Sequence, residues 1–362
     1  MSYQRKVGEM ISKAQVKKCG NRIYPILSMT MHQGLVLQDK RFKKQIASLD
    51  KTNYKVVKKH QLVESFPIDE GVIAVQEIID FGIVSPAYKI WNVNTDIVLP
   101  KFLEMALRSP KSINYYKEKL RGSTARRRTI PDEILCEMKI NCPPIEDQKS
   151  IVKIIYKVKN LIQLQKNITS FLESLAKSRF VEMFGDPIVN TKRLPEQKFE
   201  ELCFLKAGNT TSAEDIHNVG DKYPYPCYGG NGIRGYVDTF SYEGMYPIIG
   251  RQGALCGNVQ LTMGKFYATE HAVIVKPITE INVLWFYYLL KYLNLNRYHT
   301  GAAQPGLAVK NLNLINIPVA RLCDQNKYAI FVQQTDKLKA VIQKSLDETQ
   351  MLFDSLMQEY FG

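Results

Sequence analysis

Long apolar runs are scarce: the strongest, Val283 to Leu290, is far short of the ~20 residues a bilayer-spanning helix needs. The opening MSYQRKVGEMISKAQVKKC has no apolar segment of the kind a secretory leader carries, so none is expected. Cysteine is sparse and unpaired. The seven, at 19, 136, 142, 203, 227, 256 and 323, form no CxxC, and an odd, scattered set excludes a disulfide framework and points to a reducing cytoplasm. Cys227 has no Cys or His at zinc-finger spacing, so no structural zinc is expected. Negative charge is also short, with 35 Asp and Glu against 49 Lys and Arg, a net +14. A surplus that large favours a polyanionic partner, nucleic acid first. What is present, 45% apolar and 23% charged residues over a length of 362, describes a folded protein comfortable as two domains.

Glycine and proline are missing from two long stretches, Asp147 to Phe184 and Asp324 to Phe361. The second follows the first by 177 residues, as Gly185 and Gly362 mark, without a gap. Asp147-Gln148 meets Asp324-Gln325, Leu161 meets Leu338, and Leu175 meets Leu352. The register continues upstream, where Ile130, Leu135 and Ile140 meet Leu307, Leu312 and Ile317. The chain is two copies of one plan. In the first stretch Ile151, Ile154, Val158, Leu161, Ile168, Leu172 and Leu175 follow a three-four spacing, interrupted by Gln165 and Arg179. In the second, Tyr328, Phe331, Leu338, Ile342, Leu352 and Leu356 use the same frame, interrupted by Thr335, Ser345 and Thr349. The spacing predicts two helices of about 35 residues, roughly 50 Å each. Each could pack on its own domain; matching frames favour a coiled-coil seam between them.

The remainder is rich in Gly, Pro, Tyr and β-branched residues. YPCYGGNGIRGYVDTFSYEGMYPIIGRQGALCGNVQ reads as short strands with Gly turns, KFYATEHAVIVKP as a further strand, and INVLWFYYLLKYL as a buried helix. IVSPAYKIWNV followed by DIVLPKFLEMALRS repeats the strand-then-helix order. The expected architecture is α+β domain, long helix, α+β domain, long helix.

These stretches, with CPPIEDQKSIV and the FGDP junction at Phe184 to Pro187, resemble the specificity subunit of type I restriction–modification systems. The first half resembles that family in order and spacing rather than in motif wording, and IPVARLCDQ departs from the family's usual proline pattern. The resemblance implies a target-recognition domain over 1–143, a spacer helix over 144–185, a second recognition domain over 186–320 and a second spacer over 321–362. The helices would pair antiparallel, giving a pseudo-twofold duplication, and act as a ruler between two half-sites. It implies double-stranded DNA as ligand, with a bipartite, asymmetric target and an unspecified gap. It also implies two methylation subunits that carry S-adenosylmethionine and modify adenine N6. Restriction subunits that use ATP and magnesium would join to cleave DNA. No catalytic residue, metal or cofactor is expected in this chain, nor any membrane partner.

Three motif matches would suggest chemistry of its own. Gly230-Asn231-Gly232-Ile233-Arg234-Gly235 fits GxGxxG, but YVDTF follows it with strand patterning, so no helix N-terminus is expected to hold a pyrophosphate. The glycines suit close approach to another backbone, such as that of DNA. Pro131-Asp132 with Glu137-Met138-Lys139 has the letters of a magnesium nuclease, yet the acids are too close in sequence to converge from separate strands, and the repeat reads this stretch as a packed strand. Asn141-Cys142-Pro143-Pro144 faintly matches an adenine methyltransferase tetrad, but Ile145 supplies no ring to stack a flipped base.

DNA contacts are expected from a basic stretch holding Arg41, Lys43 and Lys44 and from Arg126-Arg127-Arg128. The repeat places that triplet opposite Gly301 to Gly306, which contains Gln304, each read as a loop before a strand. In the second domain Tyr228, Asn231, Arg234, Arg251 and Gln252 stand beside glycines; Arg reads guanine and Asn or Gln reads adenine, although Asn beside Gly also serves turns. His271 is added by resemblance. Two other readings remain open on the residues alone: a coiled-coil interaction scaffold, and a self-contained DNA-modifying enzyme.

Overall fold

The computed structural model describes residues 3–31, 33–38, 50–120, 128–253, 255–300 and 306–362. They form two compact units, Met1–Gln165 with Ser345–Gly362, and Lys166–Lys344. Both long helices therefore contribute one end to each unit.

The first unit runs β1 (Gln4–Lys6), α1 (Val7–Met10), β2 (Ile11–Lys13), β3 (Leu27–Thr30), β4 (Gly34–Leu37), β5 (Lys55–Lys58), β6 (Leu62–Glu64), β7 (Ile73–Val75), β8 (Phe81–Val84) and β9 (Lys89–Val93). Helices α2 (Pro100–Leu107), α3 (Pro110–Lys119) and α4 (Asp132–Glu137), strand β10 (Lys139–Asn141) and the start of α5 (Ile145–Phe184) complete it. Proline at N1 opens α2 and α3, where its missing N–H costs nothing. The main sheet has the order β2-β9-β6-β7, all antiparallel, while β1 pairs with β10 and so joins the domain's two ends. Leu62, Val75 and Trp91 pack with Phe102, Leu103 and Tyr116, and Ile151, Ile155 and Phe361 from the long helices enter the same core.

The second unit repeats the plan with β11 (Glu196–Lys198), α6 (Phe199–Leu202), β12 (Cys203–Ala207), β13 (Tyr225–Gly229), β14 (Gly232–Val237), β15 (Tyr242–Glu243), β16 (Tyr246–Gly250), β17 (Val259–Thr262), β18 (Lys265–Ala268) and β19 (Ala272–Pro277). Then come α7 (Val283–Tyr292), α8 (Val309–Asn313), β20 (Asn316–Pro318) and α9 (Leu322–Phe361). Its main sheet has the matching order β12-β19-β16-β17, and β11 pairs with β20 as β1 does with β10. A second sheet, β14-β13-β18-β15, is particular to this unit among the described residues. Phe180 and Phe184 of α5 meet Tyr328 of α9 at 5.3 and 5.7 Å, and Phe184 meets Trp285 at 5.8 Å, each edge to face.

A buried glutamine ties each long helix to its domain. The Gln148 carboxamide accepts from Leu99 N (2.8 Å) and donates to Ile97 O (3.0 Å) and Pro143 O (2.7 Å). Its repeat partner Gln325 accepts from Asn282 N (2.9 Å) and donates to Ala320 O (2.8 Å). Leu99 and Asn282 are the N-caps of α2 and α7, so each glutamine fixes the start of the helix that follows the central sheet strand.

Both long helices are 40 residues, about 60 Å. Their pairing is antiparallel within each unit: Gln165 donates to Ser345 (2.9 Å) and Thr349 (3.2 Å), Lys159 lies over Phe353, and Tyr328 donates to Ala176 O (3.0 Å). The seam, however, runs one residue later than the sequence frame in parts. Ile151, Val158, Leu172 and Leu175 face inward, but Ile154, Leu161 and Ile168 are exposed, and the buried or half-buried positions are Ile155, Ile162, Gln165 and Thr169. In α9, Tyr328, Phe331, Ile342 and Leu356 are covered while Leu338 and Leu352 are exposed. The buried stripe keeps Ile151, Val158, Gln165 and Leu172 of the expected frame and takes Ile155, Ile162 and Thr169 in place of Ile154, Leu161 and Ile168, each about 100° further round the helix.

Two strand expectations change. The stretch after Ile130 is the short helix α4 before β10, and the stretch after Leu307 likewise leads into α8. KFYATEHAVIVKP is two strands, β18 and β19, parted at Thr269–His271, where Ala272 N bonds back to Thr269 O.

Candidate nucleic-acid interface

In the second unit three connections meet at one end of the main sheet: the β13–β14 turn at Gly230-Asn231, the β16–β17 connection over 251–258, and Thr269–His271. Backbone bonds lock them. Arg251 N donates to His271 O (3.1 Å), Thr269 N to Tyr228 O (2.9 Å) and Leu307 N to Arg251 O (2.8 Å). A Cβ on Gly250 would stand 1.9 Å from Gly230 O, so at this position the glycines bring the protein's own backbones together. The GxGxxG letters span the β13–β14 hairpin and lead into strand β14.

Asn231, Arg234, Gln252 and His271 line one open depression of about 610 Å³, with Gly230, Gly253 and Leu255 between them. Asn231 Oδ1 accepts from Asn258 Nδ2, which fixes its amide. His271 Nε2 lies 3.0 Å from Glu270 Oε1, while His271 Nδ1 is buried without a hydrogen-bond partner among the described residues. Arg251 and Tyr228, also expected contacts, lie outside this lining. Arg251 Nη1 reaches Glu270 O (3.4 Å) and its Nε is buried without a partner among the described residues. Tyr228 packs edge to face on Phe266 at 5.7 Å as part of a core, and burial pushes its phenol above the ordinary value.

In the first unit Arg41, Lys43, Lys44, Arg126 and Arg127 lie outside the described residues, as does Gln304 of the second. Arg128 is described, and two carboxylates hold it: Nε to Asp69 (2.9 Å) and Nη2 to Glu70 (2.8 Å). Ile68 N donates to Arg128 O (3.0 Å). The β6–β7 connection thus meets the segment before α4 as the β16–β17 connection meets the segment before α8. Sequence reasoning had no signal for Asp69 and Glu70 as its partners, because they are remote in the chain.

The nuclease letters belong to packing. Asp132 binds Lys13 and Lys89, each at 2.8 Å, and Glu137 binds Lys6 at 2.7 Å. Lys89 also reaches Glu64 (3.1 Å), which accepts from Trp91 Nε1 (3.2 Å). Burial pushes the Glu64 carboxyl up despite Lys89; burial acts the same way on Asp132, but the hydrogen bonds from Lys13 and Lys89 outweigh it and hold that carboxyl low. Asn141 donates to Tyr360 O (3.5 Å), and Cys142 is buried beside it. Among the described residues no cluster of three or more His, Cys, Asp or Glu could hold a metal, and no helix is long and apolar enough to cross a membrane.

Duplicated α+β domains on long antiparallel helices, with polar loops gathered at a sheet end, define a class of duplicated two-domain protein, and comparison makes it particular. Residues 195–349 match the family described as type I restriction modification DNA specificity domain. The chain is 40% identical over 199 residues to the EcoprrI type I restriction enzyme specificity subunit of Escherichia coli, covering 53% of this chain and 49% of that protein. It is 28% identical over 165 residues to a putative type I specificity subunit of Haemophilus influenzae, covering 45% and 39%. The chain thus spans about half the length or less of these relatives. The S subunit of the type I restriction–modification system of M. genitalium shares the fold, with TM-score 0.63 at 16% identity over 99% of this chain and 96% of that one. A structure from work on type I system assembly and conformational transition has TM-score 0.54 at 15% identity, covering 99% and 97%. Over residues 195–349 the chain is thus similar to the DNA specificity domain of type I restriction–modification systems, and over nearly its whole length it shares the fold of an S subunit.

Proposed function

We propose that this chain selects the DNA sequence on which a type I restriction–modification complex acts, with no catalytic centre of its own. Each unit reads one half of a bipartite, asymmetric target, and the long helices set the unspecified gap. Methylation subunits carrying S-adenosylmethionine modify adenine N6 in each half, and restriction subunits using ATP and magnesium cleave unmodified DNA. The observation that carries this reading is the repeated sheet order with unlike surface loops, one copy of which matches the specificity domain. A shared frame with different loops is what reading two different half-sites requires. The net charge of +14 suits a DNA ligand. Exposed Leu161, Leu164 and Phe171 on α5 leave apolar area open to further subunits.

The test is a methylome. The chain is expressed with its methylation partner in a host free of DNA modification, and N6-methyladenine is mapped by long-read sequencing. A bipartite motif that vanishes when this chain is omitted is the expected result. Methylation indifferent to the omission overturns the proposal.

A further inference from the structure

We infer that the first unit grips duplex DNA through a phosphate-binding groove where the chain leaves strand β2, and that the second unit has no equivalent. The inference rests on the DNA-binding reading above and assigns residues outside the loops discussed there. The groove, about 470 Å³, is lined by Lys17, Lys18, Arg22 and Lys58 with the rings of Tyr24 and Phe81, and no carboxylate lines it. Its frame is set by the backbone: Val56 N donates to Lys17 O (2.9 Å), Cys19 N to Tyr54 O (2.7 Å), and Lys18 bridges to Lys55. Lys55 itself turns inward to Tyr88 O (2.6 Å).

The charge pattern separates this groove from an ordinary solvated face. Some cations elsewhere in the unit are matched, Lys13 and Lys89 by Asp132, Lys101 by Glu77, Arg108 by Glu104, and Arg128 by Asp69 and Glu70. Others, such as Lys59, Lys117 and Lys139, stand singly among the described residues; the groove differs in gathering four cations and no carboxylate around one concavity. Lys17, Lys18, Arg22 and Lys58 have no ion-pair partner among the described residues. Four unmatched cations around one concavity repel one another until an anion enters. Phe81, 49% exposed, gives that anion an apolar wall, which suits a sugar–phosphate backbone better than a free ion. In the second unit the segment leaving the matching edge strand β12 lines a smaller depression, about 300 Å³, in which Asp215 and Asp238 accompany Lys222. The fold is duplicated, but the charge is not.

The test measures binding of the full chain to a duplex carrying its target and to a scrambled duplex across a salt series. Each phosphate contact contributes about 0.9 to the log–log slope. The variant K17Q/K18Q/R22Q/K58Q is expected to flatten the slope by about 3 to 4 and to weaken both duplexes by the same factor. The conservative variant K17R/K18R/K58R should keep the parental slope, which separates charge from folding. Lys222→Gln should leave the slope unchanged. An unchanged slope in the quadruple variant, or a loss confined to the target duplex, overturns the groove. A loss at Lys222 equal to that of any one of the four overturns the asymmetry. If the parent chain binds neither duplex in a salt-dependent way, the DNA-binding reading itself fails; a steep parental slope retained by the variant removes the groove alone.

Discussion

Gln148 and Gln325 were legible as repeated letters, but their task was not, because it depends on carbonyls and amides brought close only by folding. Each is almost fully buried and satisfies the cap of a helix that follows a central strand. Removing a buried hydrogen-bonding group leaves its partners unsatisfied, at about 1–3 kcal/mol. Gln148→Ala and Gln325→Ala should each lower unfolding stability by that amount in urea titrations, and losses under about 0.5 kcal/mol would deny the glutamines this role. At the depression in the second unit, Gln252→Ala should relax base choice at one position in one half of the methylated motif, worth about 1–3 kcal/mol of discrimination, and leave the other half intact. A motif changed in both halves, or in neither, would count against that placement. Glu64 makes a pH prediction. Its folded pKa lies above the unfolded value, so the native state binds the extra proton and stability falls as pH rises from the unfolded to the folded pKa. Glu64→Gln keeps an acceptor for Trp91 and removes that fall. The variant should be at least as stable as the parent at neutral pH, with a flatter profile on the acidic side; a variant less stable only at neutral pH would reverse the sign.

Among the elements, the long helices were the easiest to read and still carried an error of one residue. Breaker-free length and the 177-residue repeat located them, and the frame through Ile151, Val158, Gln165 and Leu172 is the one that faces inward; at the alternate positions two apolar residues stand side by side, as Leu161 and Ile162 do, and spacing alone does not choose between them. The bonds of Gln165 to Ser345 and Thr349 make the polar interruptions pair with one another. Short α4 and α8 were misread as strands because six and five residues are too few to show a helical period. Polar seam residues fix register at some cost in stability. Gln165→Leu with Ser345→Ala and Thr349→Val should therefore unfold no more easily than the parent, whereas Gln165→Leu alone, which takes the amide donor from both hydroxyl oxygens and sets an apolar side chain against them, should be less stable than the triple variant by about 1 kcal/mol. Equal stabilities would remove the pairing from the list of register devices.

For the whole molecule, the repeat had predicted two domains of one plan, and the two sheets keep one strand order. What it could not show is where the copies diverge. The spacing between matching elements is 192 residues from β1 to β11 (Gln4 to Glu196) but 177 from β10 to β20 (Lys139 to Asn316), so the first domain holds extra chain in its surface connections. The helices carry no such difference: both are 40 residues and end alike, Gly185 N bonding Val181 O and Gly362 N bonding Gln358 O. Equal length in paired helices is what a spacer needs and what two independently packed helices do not. Inserting one heptad into both α5 and α9, at matched positions beside Gln165 and Ser345, preserves the seam frame and lengthens each helix by about 10 Å. The methylated motif should keep both halves and widen its gap by about three base pairs, at about 3.4 Å each. A folded, active variant whose gap is unchanged would show that the helices do not measure the target.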